Sequence, residues 1–187
     1  MNLWKALALA AIAATAHVSA YAQQTQQAPA TTAAPTVAKP ENFKDWKLYC
    51  PQPKAANEPR ICEIRTVLLS NDGKPLGALV VAAVPEEKTK QMQIVTSALV
   101  PLGVDLMIEP ALKVDDGKPM PFRYLRCLQR GCEAIAPLAP DQQSAMRSGT
   151  KAKLAVAIGG GKNAVFAFSL DGFTSALDAL KKFSGAT

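Results

Sequence analysis

Between Lys151 and Leu170 the chain alternates with a period of two. Ala152, Leu154, Val156 and Ile158 fall on one side; after Gly159-Gly160-Gly161-Lys162-Asn163, Ala164, Phe166, Phe168 and Leu170 fall on one side again. Such a period buries one face of a strand, and two such runs across a glycine-rich turn read as a hairpin. The pattern recurs upstream. Cys62, Ile64, Thr66 and Leu68 share a face against Glu63 and Arg65, and Asn71-Asp72-Gly73 follows as a turn. Met92, Ile94 and Thr96 alternate with Gln91 and Gln93, whereas Gly77–Val84 is continuously apolar, as in a strand covered on both faces. Asp45–Cys50, Gly103–Ile108, Ala111–Val114, Phe122–Cys127 and Cys132–Ala136 complete the strand candidates.

The period changes only twice. Pro140–Arg147 reads as a short polar helix, and Phe173, Ala176, Leu177 and Leu180 stand at i, i+3, i+4 and i+7. Lys181 and Lys182 favour the end of that second helix and Gly185 its stop. Short strands, frequent turns and one terminal helix predict a mainly β fold, an antiparallel β-sandwich with a C-terminal helix.

The N-terminal segment has another purpose. Lys5, an apolar run from Ala6 to Ala16 and Ala20-Tyr21-Ala22 before Gln23 form a signal-peptide pattern, with cleavage expected after Ala22 and Val18-Ser19-Ala20 as the alternative. The run is much shorter than the ~20 residues of a spanning helix, and no transmembrane segment is expected after cleavage. Residues 23–42, rich in Gln, Ala, Thr and Pro, read as a disordered linker. The domain is expected to span residues 43–187, with Trp46 as a core anchor beside Cys50.

Export gives the cysteines a meaning. Cys50, Cys62, Cys127 and Cys132 form an even set in a chain bound for an oxidising compartment, which implies disulfides. Short separations favour Cys50–Cys62 and Cys127–Cys132, two local bridges. A four-thiolate zinc site needs closer spacing than the first pair has. Cys127-Leu128-Gln129-Arg130-Gly131-Cys132 lacks the C-x-x-C of a redox pair and reads as structural.

The one histidine of the chain, His17, lies in the leader. Without it, Ser-His-Asp and Cys-His catalysis and His-ligated metals are excluded from the processed protein. Gly159-Gly160-Gly161-Lys162 lacks phosphate-loop spacing, and Asp115-Asp116-Gly117-Lys118 lacks the twelve-residue ligand pattern of a calcium loop. A Ser-Lys pair from Ser144 with Lys151 or Lys153 has no motif behind it. No catalytic, cofactor-binding or metal-binding residue is expected, and no cofactor. The net charge of +6 is scattered, with too few aromatics for a base-stacking platform, so nucleic acid is not an expected partner. Arg123, Arg126 and Arg130 surround the second cysteine pair, but regular alternation places Arg123 and Arg126 on opposite faces.

Five pieces recur in order: Trp46-Lys47-Leu48-Tyr49-Cys50 ahead of Cys62; Pro75-Leu76-Gly77; Pro101-Leu102-Gly103-Val104; Val114-Asp115-Asp116-Gly117-Lys118; and Phe122-Arg123-Tyr124 running into Cys127, with Arg130-Gly131-Cys132-Glu133-Ala134. From Asp45 to about Leu180 the chain resembles the invasion-associated locus B family. That resemblance implies a periplasmic or surface-exposed β-sandwich protein of Gram-negative bacteria with no catalytic residues to carry over. It implies a non-enzymatic envelope protein that binds another macromolecule, a protein or a cell surface, with a role in host-cell attachment or invasion. The alternative is a periplasmic envelope-maintenance or stress factor without a host role; an enzyme ranks third.

Overall fold

The computed structural model describes residues 39–186 except Lys54, Ala56 and Asn57. The expected signal peptide and residues 23–38 of the expected linker lie outside the described residues. Among the described residues, eleven strands and two helices follow in order: β1 (Glu41–Phe43), β2 (Trp46–Tyr49), β3 (Glu63–Leu69), β4 (Pro75–Pro85), β5 (Met92–Val100), β6 (Ala111–Val114), β7 (Met120–Pro121), β8 (Arg123–Leu128), β9 (Gly131–Pro137), α1 (Pro140–Ser148), β10 (Lys151–Ile158), β11 (Lys162–Ser169) and α2 (Phe173–Ser184).

The strands form one antiparallel sheet in the order β7-β6-β10-β11-β3-β4-β5-β9-β8, with β2 joining β3 and β1 joining β2. Its two end strands, β7 and β8, are separated in the chain only by Phe122. One residue spans at most ~7 Å, so at this point the sheet's ends meet and the sheet is nearly closed. Phe122 is fully buried at that junction, and its N–H donates to the Pro110 carbonyl at 2.8 Å.

Alternation decides what goes inside. Ile64, Thr66 and Leu68 of β3, Leu79, Val81 and Ala83 of β4, and Ile94, Thr96, Ala98 and Val100 of β5 are buried. Ala152, Leu154 and Val156 of β10 and Phe166 and Phe168 of β11 join them, while Ile158 and Ala164 are only half-buried. The buried Thr96 hydroxyl is satisfied: its Oγ1 donates to the Val80 carbonyl at 3.2 Å, which lowers the cost of placing a polar atom in the core. The outer side of β4 departs from its expected double coverage, because Ala78, Val80, Ala82 and Val84 are only half-buried.

Phe173, Ala176, Leu177 and Leu180 of α2 are buried, as their spacing predicts, and Gly185 ends the helix in the left-handed conformation, φ 71°. Trp46 packs edge-on against Phe173 at 5.0 Å and Phe168 at 6.2 Å, while its indole N–H donates to the Ser169 carbonyl at 3.1 Å. Each fully buried large side chain of this kind stabilises by roughly 1.5–3 kcal/mol.

Both disulfides, Cys50–Cys62 and Cys127–Cys132, are present and no free cysteine remains among the described residues. Cys127 and Cys132 are directly opposed in the β8–β9 hairpin, with Cα atoms 4.0 Å apart. Tyr49 opposes Glu63, so Cys50 and Cys62 continue the β2–β3 register by one pair, at 4.3 Å. Each bridge staples the end of a hairpin.

Three local expectations change. A strand, β1, precedes the expected first strand Asp45–Cys50, because a two-residue turn at Lys44-Asp45 lets Asn42 pair with Lys47. Gly103–Ile108 makes only an isolated bridge, Val104 to Ile158, since Gly103 adopts φ 93° and breaks the run. Phe122 is the junction before β8 rather than its first residue.

Candidate functional site

A β-sheet face turned to solvent is ordinarily polar, yet the outer face of β4, β5 and β9 is not. Cross-strand register gives its layout. One row runs Arg65, Val80, Ser97, Ile135, Arg123 across β3, β4, β5, β9 and β8. The next runs Val67, Ala78, Leu99, Glu133, Arg126, and on the other side Glu63, Ala82, Val95 and Pro137 line up. Small and apolar side chains thus form a floor, and charged ones stand at its two borders. An open groove of about 880 Å³ lies over Val80, Ser97 and Leu99 with Arg65, Arg126 and Arg130 on its rim. A second, of about 600 Å³, continues past Val95 and Ile135 to Arg123 and Glu109.

Arg126 reaches this face through an irregularity. Arg123 opposes Ile135 and Tyr124 opposes Ala134, but Arg126, not Leu125, opposes Glu133. Leu125 is an extra residue, a β-bulge, and it returns Arg126 to the face that Arg123 occupies. Alternation alone predicts opposite faces, so this expectation is corrected. The extra residue shifts the phase of the strand without changing its composition, so the sequence does not mark the bulge.

The charges fall into two groups. Arg126 pairs with Glu133 at 2.9 Å, and Arg65 pairs with Glu63 while its guanidinium sits 4.8 Å over the Tyr49 ring. Arg123 and Arg130 have no acidic partner among the described residues. Tyr124, between the two β8 arginines, turns the other way. Its buried hydroxyl has no hydrogen-bond partner among the described residues, and burial, helped by the charge of Asp105, raises its pKa.

The β8–β9 hairpin that carries these groups is held tightly. Leu128 opposes Gly131 across a two-residue turn. Gly131 has φ 141°, and a Cβ there would stand 2.2 Å from the Val100 carbonyl oxygen. Only glycine lets the hairpin lie this close to β5.

Other sequence candidates fall elsewhere. Asp115 is a turn residue: its carboxylate accepts the Thr150 N–H at 3.0 Å and the Lys151 N–H at 3.1 Å, which lower its pKa. Gly159, Gly160 and Gly161 form the β10–β11 turn. The Ser144 hydroxyl donates to the Pro140 carbonyl of its own helix at 2.9 Å. Among the described residues no three His, Cys, Asp or Glu side chains are grouped to hold a metal.

The sequence profile of the family described as invasion associated locus B protein matches residues 46–181, well over half the chain. The chain belongs to the invasion-associated locus B family. Members similar to it include the invasion protein B homologs of two Brucella abortus strains, each 33% identical over 84 residues, 44% of this chain and 49% of the relative. The alignment spans about half the length of these relatives. The crystal structure of invasion associated protein B from Bartonella henselae has the same fold, with a TM-score of 0.62 at 21% identity over 78% of this chain and 96% of that one. The β8 bulge and the apolar outer face of β4, β5 and β9 all lie within the matched region. No described helix is long and apolar enough to cross a membrane.

Proposed function

We propose that this invasion-associated locus B protein is an exported, non-enzymatic envelope protein that binds a macromolecular partner, in the periplasm or at the cell surface, and contributes to host-cell attachment. The observation that carries the binding role is the outer face of β4, β5 and β9, where Val80, Ser97, Leu99 and Ile135 lie half-exposed between arginine borders. Apolar residues gathered on a surface and rimmed by charge mark interaction sites. Export rests on the Lys5-to-Ala22 pattern, the disulfide pairs and the family names. The rival role, envelope maintenance without a host, draws on the same surface with an envelope component as partner.

Adhesion to host cells tests the reading. The purified exported protein is expected to bind them saturably, and Val80→Asp and Ser97→Glu are expected to abolish binding while near-ultraviolet circular dichroism stays unchanged. A deletion strain that adheres normally but leaks periplasmic enzyme assigns the maintenance role instead.

A further inference from the structure

The dimensions and charges of the outer face specify what kind of segment it accepts, an inference that rests on the binding role proposed above. Arg65 and Arg123 stand at the two ends of one cross-strand row, four inter-strand steps apart. At ~4.8 Å a step the span is about 19 Å along the sheet. A single extended strand covers only one such step and leaves most of the floor open. An α-helix, with a diameter of ~10–12 Å including side chains, fills the floor and leaves a side-chain length on each flank. The floor suits a helix: Ala78, Ala82 and Ser97 are small, so a backbone cylinder can approach closely.

Charge decides the helix's composition. Arg65 and Arg126 are neutralised by Glu63 and Glu133, whereas Arg123 and Arg130 on the β8 side remain unpaired among the described residues. The paired glutamates at the groove disfavour a polyanionic glycan, which would gain nothing from Val80 and Leu99 beneath it. Arg123 lies level with Ile135 and Arg130 adjoins Gly131. The four-residue offset from Ile135 to Gly131 is about 14 Å along a strand, close to two and a half turns of helix. Glu109, beside the second groove, bounds the positive border at its far end.

We infer that the partner presents an amphipathic helix, laid along β4, β5 and β9, with its apolar stripe on Val80, Ser97, Leu99 and Ile135 and two acidic residues roughly two turns apart facing Arg123 and Arg130.

The test uses the purified exported protein and a fluorescent synthetic helix of about 20 residues, long enough to hold helical structure. It carries an apolar stripe and two glutamates two turns apart; a second helix has lysines in their place. Anisotropy titration is expected to show saturable binding of the acidic helix. Reversing both cations, Arg123→Glu with Arg130→Glu, is expected to weaken it roughly tenfold and to improve binding of the lysine helix. Equal binding of the two helices, or no effect of the reversal in a variant with native Trp46 fluorescence, overturns the inference. A benzophenone side chain in place of Ser97 identifies the natural occupant by cross-linking. A cross-link to an acidic-flanked helix supports the inference. One to an extended segment, a glycan or a lipid overturns it while leaving the binding role intact. Absence of any cross-link, together with normal adhesion by Val80→Asp, removes the binding role as well.

Discussion

Single atoms constrain this protein closely at Gly131 and Asp115. Gly131→Ala forces a Cβ toward the Val100 carbonyl in a backbone conformation that L side chains rarely adopt. The variant is expected to lose about 1–3 kcal/mol, read as a lower urea midpoint with Trp46 fluorescence as the probe. In sequence this glycine is only one member of the structural Cys127–Cys132 loop, because the close approach belongs to β5, more than thirty positions away by chain order. Asp115 gives a pH signature. Its folded pKa lies below the ordinary 3.8 because backbone N–H groups of Thr150 and Lys151 bind the ionised form. A depressed pKa contributes stability that is present above the unfolded pKa and disappears as pH falls through the folded value. The stability gap between the wild type and Asp115→Ala is therefore expected to be constant near neutral pH and to close below about pH 4, measured by urea unfolding across the range.

At the level of elements, both disulfides sit at hairpin ends but enclose unequal loops, with sequence separations of 12 and 5. By chain entropy, removal of Cys50–Cys62 is expected to cost about 3 kcal/mol and removal of Cys127–Cys132 about 2 kcal/mol, measured as paired Cys→Ala variants in denaturant. The alternation of β10 and β11, apart from Ile158 and Ala164 at their turn, and the i, i+3, i+4, i+7 face of α2 were legible in sequence, since one buried face writes its period into the chain. The bulge in β8 was not, since an extra residue shifts the phase without changing composition. Deleting Leu125 provides a check. The shortened strand would pair regularly, with Arg123 and Arg126 two apart on one face. It is expected to fold, to retain the Cys127–Cys132 bridge and to bind the acidic helix as before, as shown by peptide mapping and anisotropy.

For the molecule as a whole, family membership and the strand-rich composition of the fold were accessible from residues, but the near-closure of one sheet was not. Alternation reports that a strand has an inside and an outside; it carries no information on which strand is its neighbour. The pairing of β6 with β10 and of Leu69 with Ala167 is set by how the twisted sheet curls over a shared core. Phe122 holds the place where the ends meet. Its truncation to Ala is expected to cost about 3–5 kcal/mol, visible as a fall in the thermal midpoint.

That meeting point also imposes an order in time. Chains emerge N-terminus first. β1 to β5 pair mostly with near neighbours in sequence and can zip as successive hairpins, but β3 finds β11 only after nearly a hundred further residues have appeared. Until β10 and β11 arrive, β6 lacks its long partner and β3 keeps part of one edge open. A polypeptide with this wiring spends its early life as an unfinished ribbon and completes its core only when the last quarter of the chain is free to join.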